Sequence, residues 1–301
     1  MRKEKILITG SNGTLGGSLI GEILHNTDYD VISVASSVKK IQDMMEREGI
    51  SSKERVISVN NDGFINGEID NIQIDSAIHL AFSRAKNSAE SIAESIEFTS
   101  KVFRKLHKIK VPRIIYMSSQ SVYGNISEWR HEELSPAPEI SYAMAKYAGE
   151  KLLEMQFGDL ENTQFTSLRL DYVIQSQNLV PVLCRSAKER GKIILQGGKQ
   201  TFSYIDKSEV AKAIVALLNY GGPWKRIYNV GHNHMRYSLK EVADVVACVA
   251  GYNGVNKVDI SLEENDTILW SGMDSSRFMN DTGWRSSMDL YQMVENIYIT
   301  I

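Results

Sequence analysis

The sequence has little of what would mark a specialised class. It contains two cysteines, Cys184 and Cys248, and five prolines in 301 residues, with a formal net charge of only −3. The cysteines stand far apart and match no metal spacing, so they read as reduced thiols of a cytoplasmic protein, and no metal site is expected. Without a polybasic block, nucleic acid is not expected as a primary partner. No stretch approaches the ~18 apolar residues that a membrane span requires. The start, Met1-Arg2-Lys3-Glu4-Lys5, carries charge as a secretory leader would, but too few apolar residues follow before Gly10. Repeats and low-complexity tracts are absent as well. The expectation is a soluble cytoplasmic α/β protein, one large domain with a smaller lobe.

What is present is a regular alternation. Lys5–Thr9, Asp30–Ala35, Arg55–Val59, Ser76–Ala81 and Arg113–Ser118 read as short apolar strands. Between and after them, Leu15–His25, Val38–Glu48, Ile92–Lys108 and Tyr142–Phe157 show helical periodicity. Such βαβ spacing implies a parallel, doubly wound sheet covered on both faces. Phe165–Val173 reads as a further strand, Val180–Arg190 and Glu209–Asn219 as helices, and Arg226–Val230 as a last short strand. A composition shift near 172–178 suggests a Rossmann-type domain over 1–172, rejoined by 204–230. A substrate lobe would then be built from 173–203 and 231–301.

The turn Gly10-Ser11-Asn12-Gly13-Thr14-Leu15-Gly16 follows a strand and opens an apolar helix. In that setting Gly10 lets the chain turn sharply, Gly13 lets the backbone approach a pyrophosphate, and Gly16 lets the helix pack on the sheet. The helix N-terminus adds free N–H groups and partial positive charge. The second strand ends without the Asp or Glu that would hold a ribose 2′-hydroxyl, and runs into Ser36-Ser37-Val38-Lys39-Lys40. Ser36, Ser37 and Lys39 could accept a 2′-phosphate, so NADP is favoured slightly over NAD.

Tyr142 and Lys146 lie four residues apart on one face of a helix. A free tyrosine, with a pKa of about 10, is a poor base at neutral pH. A neighbouring ammonium favours the phenolate, which can then exchange a proton with an alcohol as hydride moves to or from a nicotinamide. The hydroxyl-rich run Tyr116–Gly124 falls at the carboxyl end of a strand, where open α/β sheets bind ligands.

Taken together, TGSNGTLG, His79-Leu80-Ala81, SSQSVYG, YAMAK, SLRL, Asn178-Leu179-Val180-Pro181, YIDKSEVAKAI, Tyr228–Gly231 and Asp274–Arg277 with Gly283-Trp284 resemble the extended short-chain dehydrogenase/reductases, or NAD-dependent epimerase/dehydratases. The resemblance runs over nearly the whole chain. It implies Ser119, Tyr142 and Lys146 as the catalytic set, with Leu80 and Ala81 bordering the cofactor and His79 structural. It also implies a nucleotide-sugar substrate near Tyr172, Asn178, Leu179 and Phe202. A homodimer through the Ile92–Lys108 and Tyr142–Phe157 helices would follow the family, although Phe98 occupies a family glycine position.

Three departures stand out against that pattern. Family dehydratases place Asp-Glu after the active hydroxyl, where this chain has Gln120-Ser121. Phe202 occupies a position where the family carries a phosphate-binding arginine, and a second such arginine is missing from 261–266. The segment Trp129–Glu133 stands where the family places a substrate-facing loop. Two enzymatic outcomes therefore remain, a sugar-nucleotide epimerase or a ketoreductase. An oxidoreductase on a non-nucleotide carbonyl compound and a non-catalytic dinucleotide sensor are the alternatives.

Overall fold

The computed structural model describes residues 2–82, 88–176, 179–264 and 266–301. Its first half runs β1 (Lys5–Thr9), α1 (Thr14–Asn26), β2 (Asp30–Ala35), α2 (Val38–Arg47), β3 (Val56–Asn60), α3 (Asn61–Asn66), β4 (Ser76–His79), α4 (Ala89–Lys108), β5 (Arg113–Ser119), α5 (Ser141–Phe157) and β6 (Gln164–Leu170). The second half continues with β7 (Tyr172–Val173), α6 (Leu179–Arg190), β8 (Lys192–Gln196), β9 (Thr201–Phe202), β10 (Tyr204–Ile205), α7 (Lys207–Asn219) and β11 (Ile227–Val230). It closes with β12 (Tyr237–Ser238), α8 (Leu239–Tyr252), β13 (Asp259–Glu263), α9 (Ser276–Thr282) and α10 (Leu290–Tyr298).

Seven parallel strands form one sheet in the order β11-β6-β5-β4-β1-β2-β3. The chain fills positions on one side of β1 first and then crosses to β4 on the other. The strand order therefore reverses between β1 and β4, and their carboxyl ends flank a crevice. This is the Rossmann-type doubly wound sheet that the strand–helix alternation implies.

Period-two geometry distributes the apolar run of β1 over both faces. Ile6 and Ile8 join the cluster beneath α1 and α7, whereas Leu7 joins Phe103 and Phe157 beneath α4 and α5. All three are fully buried, each contributing roughly 1.5–3 kcal/mol. A second core lies apart from the sheet. There α6, α8 and α10 pack around the parallel pair β8–β13 and bury Val242, Val246, Met293 and Ile297. Capping boxes, Ser238 with Glu241 and Asp289 with Gln292, start α8 and α10.

The Phe165–Val173 run breaks at Asp171. β6 stops at Leu170, Asp171 donates its N–H to the Val230 carbonyl, and the chain then leaves the sheet so that β7 pairs with β10. α9 turns back from the second core, with Phe278 edge-on to Tyr228 of β11 at 5.4 Å.

One polar element is buried between α5 and β6. Arg169 places Nε and Nη2 on the two carboxylate oxygens of Glu150, at 2.9 and 2.7 Å, and its guanidinium lies 4.6 Å from the Tyr123 ring centroid. Removing one partner leaves an uncompensated buried charge. Glu150→Ala is accordingly expected to lower the unfolding free energy by about 3–5 kcal/mol, read from urea denaturation.

Candidate active site

The turn after β1 is built by close contacts. Gly10 has φ +70°, and a Cβ there would fall 2.6 Å from the Ala81 backbone. A Cβ on Gly16 would fall 2.3 Å from the Ser11 carbonyl oxygen, so α1 can start only if both positions are glycine. Gly13 caps α1 without a side-chain hydrogen bond, leaving the first N–H groups available to an anion. A cleft of about 650 Å³ opens above this turn, and Gly10, Asn12, Gly13, Thr14, Leu15 and Gly16 all line it. Ser11 does not. Its buried hydroxyl donates to the Val34 carbonyl at 3.0 Å and accepts from Ser33 at 2.8 Å, tying the turn to β2.

At the end of β2, Ser36 lines the cleft together with Lys40, whose Nζ donates to Ser36 Oγ at 3.0 Å. The other two residues singled out in this stretch lie elsewhere. Ser37 accepts the Lys40 N–H at 3.3 Å as the cap of α2, and Lys39 is exposed on the helix surface. Asn61, at the start of α3, also lines the cleft, and its buried carboxamide oxygen has no hydrogen-bond partner among the described residues. Its only sequence signal is its place just beyond an edge strand.

Leu80, Ala81 and Phe82 continue the wall from β4. His79, beneath them, joins β1 to α4, with Nδ1 2.6 Å from Thr9 Oγ1 and Nε2 2.9 Å from Thr99 Oγ1. Burial, with Lys146 nearby, pushes it down to about 3, so it stays neutral in a structural place.

Ser119, Tyr142 and Lys146 all line the same cleft, facing the glycine turn from β5 and α5. Lys146 is buried; its Nζ donates to the Met117 carbonyl at 2.7 Å and lies 4.4 Å from the Phe82 ring centroid and 5.9 Å from that of Tyr142. Phe82 meets the Tyr142 ring edge-on at 5.4 Å. Ser119 Oγ accepts the Ser121 N–H at 3.2 Å and sits 2.9 Å from Ser121 Oγ. The adjacent Ser118 hydroxyl is committed to Glu150 at 2.5 Å. Gln120 is buried, its Oε1 accepting the Gly272 N–H at 3.1 Å.

The far end of the cleft is formed by Leu170, Asp171, Tyr172, Val173 and Ser176. Of the remaining expected substrate residues, Asn178 lies outside the described residues. Leu179 packs against the second core, and Phe202 stacks on Tyr204 at 5.7 Å between ring centroids, neither lining the cleft. Among the described residues no arginine lines it; its cations are Lys40 and Lys146. The segment Trp129–Glu133 does not line the cleft either. Arg130 is buried and donates to the carbonyls of Gly124 and Trp270 at 2.8 and 2.7 Å, while the Arg236 guanidinium stacks 4.0 Å from the Trp129 ring centroid.

Comparison with known proteins places this geometry. The model of the NAD dependent epimerase/dehydratase family matches residues 6–231. The chain belongs to that family. It is 24% identical to the dTDP-4-dehydro-6-deoxyglucose reductase of Escherichia coli, over 100% of this chain and 98% of the relative. Among solved structures, the UDP-glucuronic acid 4-epimerase from Bacillus cereus, in complex with UDP-glucuronic acid and NAD, superposes with a TM-score of 0.81. Identity is 19%, and 98% of each chain is covered. The UDP-glucose 4-epimerase from Bifidobacterium longum, in complex with NAD+ and UDP, gives a TM-score of 0.79 at 22% identity, covering 98% of this chain and 97% of that one. Both solved relatives carry NAD, so the comparisons lend no support to the NADP preference read from the end of β2.

This epimerase/dehydratase-family chain also holds a carboxylate that the sequence reading passed over. Asp171 is buried in the cleft wall; Ser203 Oγ donates to its Oδ2 at 2.7 Å, and Oδ1 has no partner among the described residues. Burial pushes its carboxyl up to about 7, outweighing the opposing pull of Ser203, Arg130, the His232 backbone and Arg236. The protonated form is thus favoured in the fold. That advantage is complete below the unfolded value near 4 and is lost as pH rises through about 7. Asp171→Asn is expected to match the parent in Tm at pH 4 and to exceed it by a few degrees at pH 8.

Proposed function

We propose that this chain is a nucleotide-sugar epimerase that keeps a nicotinamide dinucleotide and works by hydride transfer at a carbinol carbon. The observation that carries the reading is the placement of Ser119, Tyr142 and Lys146 in one cleft, facing the uncapped N-terminus of α1. The residues present fit a dinucleotide. Gly10–Gly16 would cradle the pyrophosphate, Ser36 and Lys40 would face the adenosine ribose, and Asn61 offers an unpaired acceptor beyond them. When bound, the dinucleotide supplies and accepts hydride.

The chain's own groups then handle the proton and the geometry. Tyr142 takes the hydroxyl proton of the substrate as the carbon is oxidised and returns it on reduction. The fixed charge of Lys146, held by the Met117 carbonyl, stabilises negative charge at the Tyr142 oxygen while that proton is away. Ser119 donates to the same substrate oxygen, its own orientation set by Ser121. Gln120 and Ser121 offer no carboxylate beside the active hydroxyl, so loss of water of the Asp-Glu kind is not the reading.

A ketoreductase using NADPH is the second reading, and the Ser36–Lys40 pair favours it. A lining without arginine among the described residues, by contrast, supports a lightly held phosphate group or a non-nucleotide carbonyl substrate. We also infer a homodimer through α4 and α5, which pack together and leave Met144 and Met155 of α5 exposed.

Tyr142→Phe is expected to cut turnover by roughly 10²–10⁴-fold while NADH still binds; undiminished turnover would sink the mechanism. Denaturing the purified protein is expected to release NAD in near-equal amount, whereas an empty protein preferring NADPH would establish the ketoreductase. Lys40→Ala provides a separate check on the cofactor. If Lys40 meets a 2′-phosphate, the change weakens NADPH about tenfold or more and leaves NADH nearly untouched.

A further inference from the structure

One residue of the cleft wall has no part in the chemistry assigned above. Phe82 stands just beyond the end of β4 and lines the cleft, half-buried. The backbone that presents it is fixed: the Leu80 N–H donates to the Thr9 carbonyl at 3.1 Å, and Ala81 lies against Gly10 where a Cβ would otherwise stand. The Phe82 ring meets both members of the Tyr142–Lys146 pair. The Lys146 ammonium lies over it, 4.4 Å from the centroid, and the Tyr142 ring stands nearly perpendicular to it, at 86° and 5.4 Å. From the core, the fully buried Tyr116 ring lies 5.1 Å from the same ammonium. A hydrogen bond to the Met117 carbonyl fixes one N–H of Lys146 but not the direction of its flexible four-carbon stem. Burial, moreover, disfavours its charge. An aromatic face attracts a cation through its quadrupole and brings no negative charge of its own. Phe82 therefore steadies the ammonium beside Tyr142 without cancelling the positive field that a phenolate there needs. An aliphatic side chain of similar bulk would cover the ammonium but not attract it.

We propose that Phe82 is a positioning residue for proton transfer, its ring holding the Lys146 ammonium beside Tyr142. The assignment rests on the reading of Tyr142 and Lys146 as the proton-handling pair and adds the side chain that keeps them in place. Because Phe82 acts through Lys146, it bears on turnover more than on binding.

Three variants test this: Phe82→Leu and Phe82→Met, which keep apolar bulk and lose the ring, and Phe82→Tyr, which restores it. On the purified full-length protein, NADH binding is measured first, then kcat and KM for UDP-glucose and dTDP-glucose. Reductive methylation of Lys146 by formaldehyde is read in parallel by peptide mass spectrometry, against the exposed Lys151 as reference. With NADH binding and KM within about twofold of the parent, both aliphatic variants are expected to lower kcat about tenfold and to methylate Lys146 about tenfold faster. Phe82→Tyr is expected to recover both to within about threefold. Parent-like kcat or parent-like labelling in the aliphatic variants overturns the assignment, as does failure of Phe82→Tyr to recover either. Loss of NADH binding in both aliphatic variants also overturns it, since Phe82 would then serve the cofactor rather than Lys146. A parent that converts neither sugar nucleotide defeats the proposed function itself, and the assignment falls with it.

Discussion

At the carboxyl edge of the sheet, the turn leaving β1 passes so close to the chain leaving β4 that a methyl group on Gly10 would sit 2.6 Å from the Ala81 backbone. Much of the site follows from this contact. Because β1 and β4 are neighbours at the point where the strand order reverses, their ends diverge and leave a crevice above the turn. Because Gly16 lies against Ser11, α1 begins immediately, with its open N–H groups facing that crevice. The open helix end and the wall that faces it are products of the same backbone approach.

The opposite wall is stiffened from behind. Ser118 points away from Ser119 along β5 and hydrogen-bonds Glu150, which Arg169 holds from β6. α5 is thereby fastened to two strands one turn beyond Lys146. Lys146 in turn grips the Met117 carbonyl of β5. Neighbouring residues of one strand thus divide the work, Ser118 and Met117 anchoring the helix while Ser119 remains at the cleft. Tyr142 on that helix is thereby placed with strand-like precision at the cleft.

Local chemistry explains what could be read from the sequence. Gly10, Gly13 and Gly16 were legible because only glycine fits such turns. Tyr142 and Lys146 were legible because spacing by four on a helix fixes a shared face. Lys40 and Lys39 could not be told apart, since their sides depend on where Ser37 caps α2. Asn61 and Asp171 gave no motif; each gains meaning only from the strand end it occupies and the partners it lacks. Phe202 and Leu179 were placed by family position, yet their side chains serve the second core. The Trp129–Glu133 stretch reads as a polar loop, but Arg130 reaches across 140 residues of sequence to the Trp270 carbonyl, a contact no local pattern encodes.

The distribution of charge in the cleft bears on what it can admit. Among the described residues its lining cations are Lys40, at the end of β2, and Lys146, beside Tyr142, and its one carboxylate, Asp171, stands at the end of β6. A diphosphate seated near that carboxylate would receive no bidentate arginine contact from the described lining residues, and there backbone or lysine donors would have to suffice. The nearest guanidinium groups are engaged in holding 124–130 against 268–273. The arginines are therefore spent on building the wall rather than on contacting its contents.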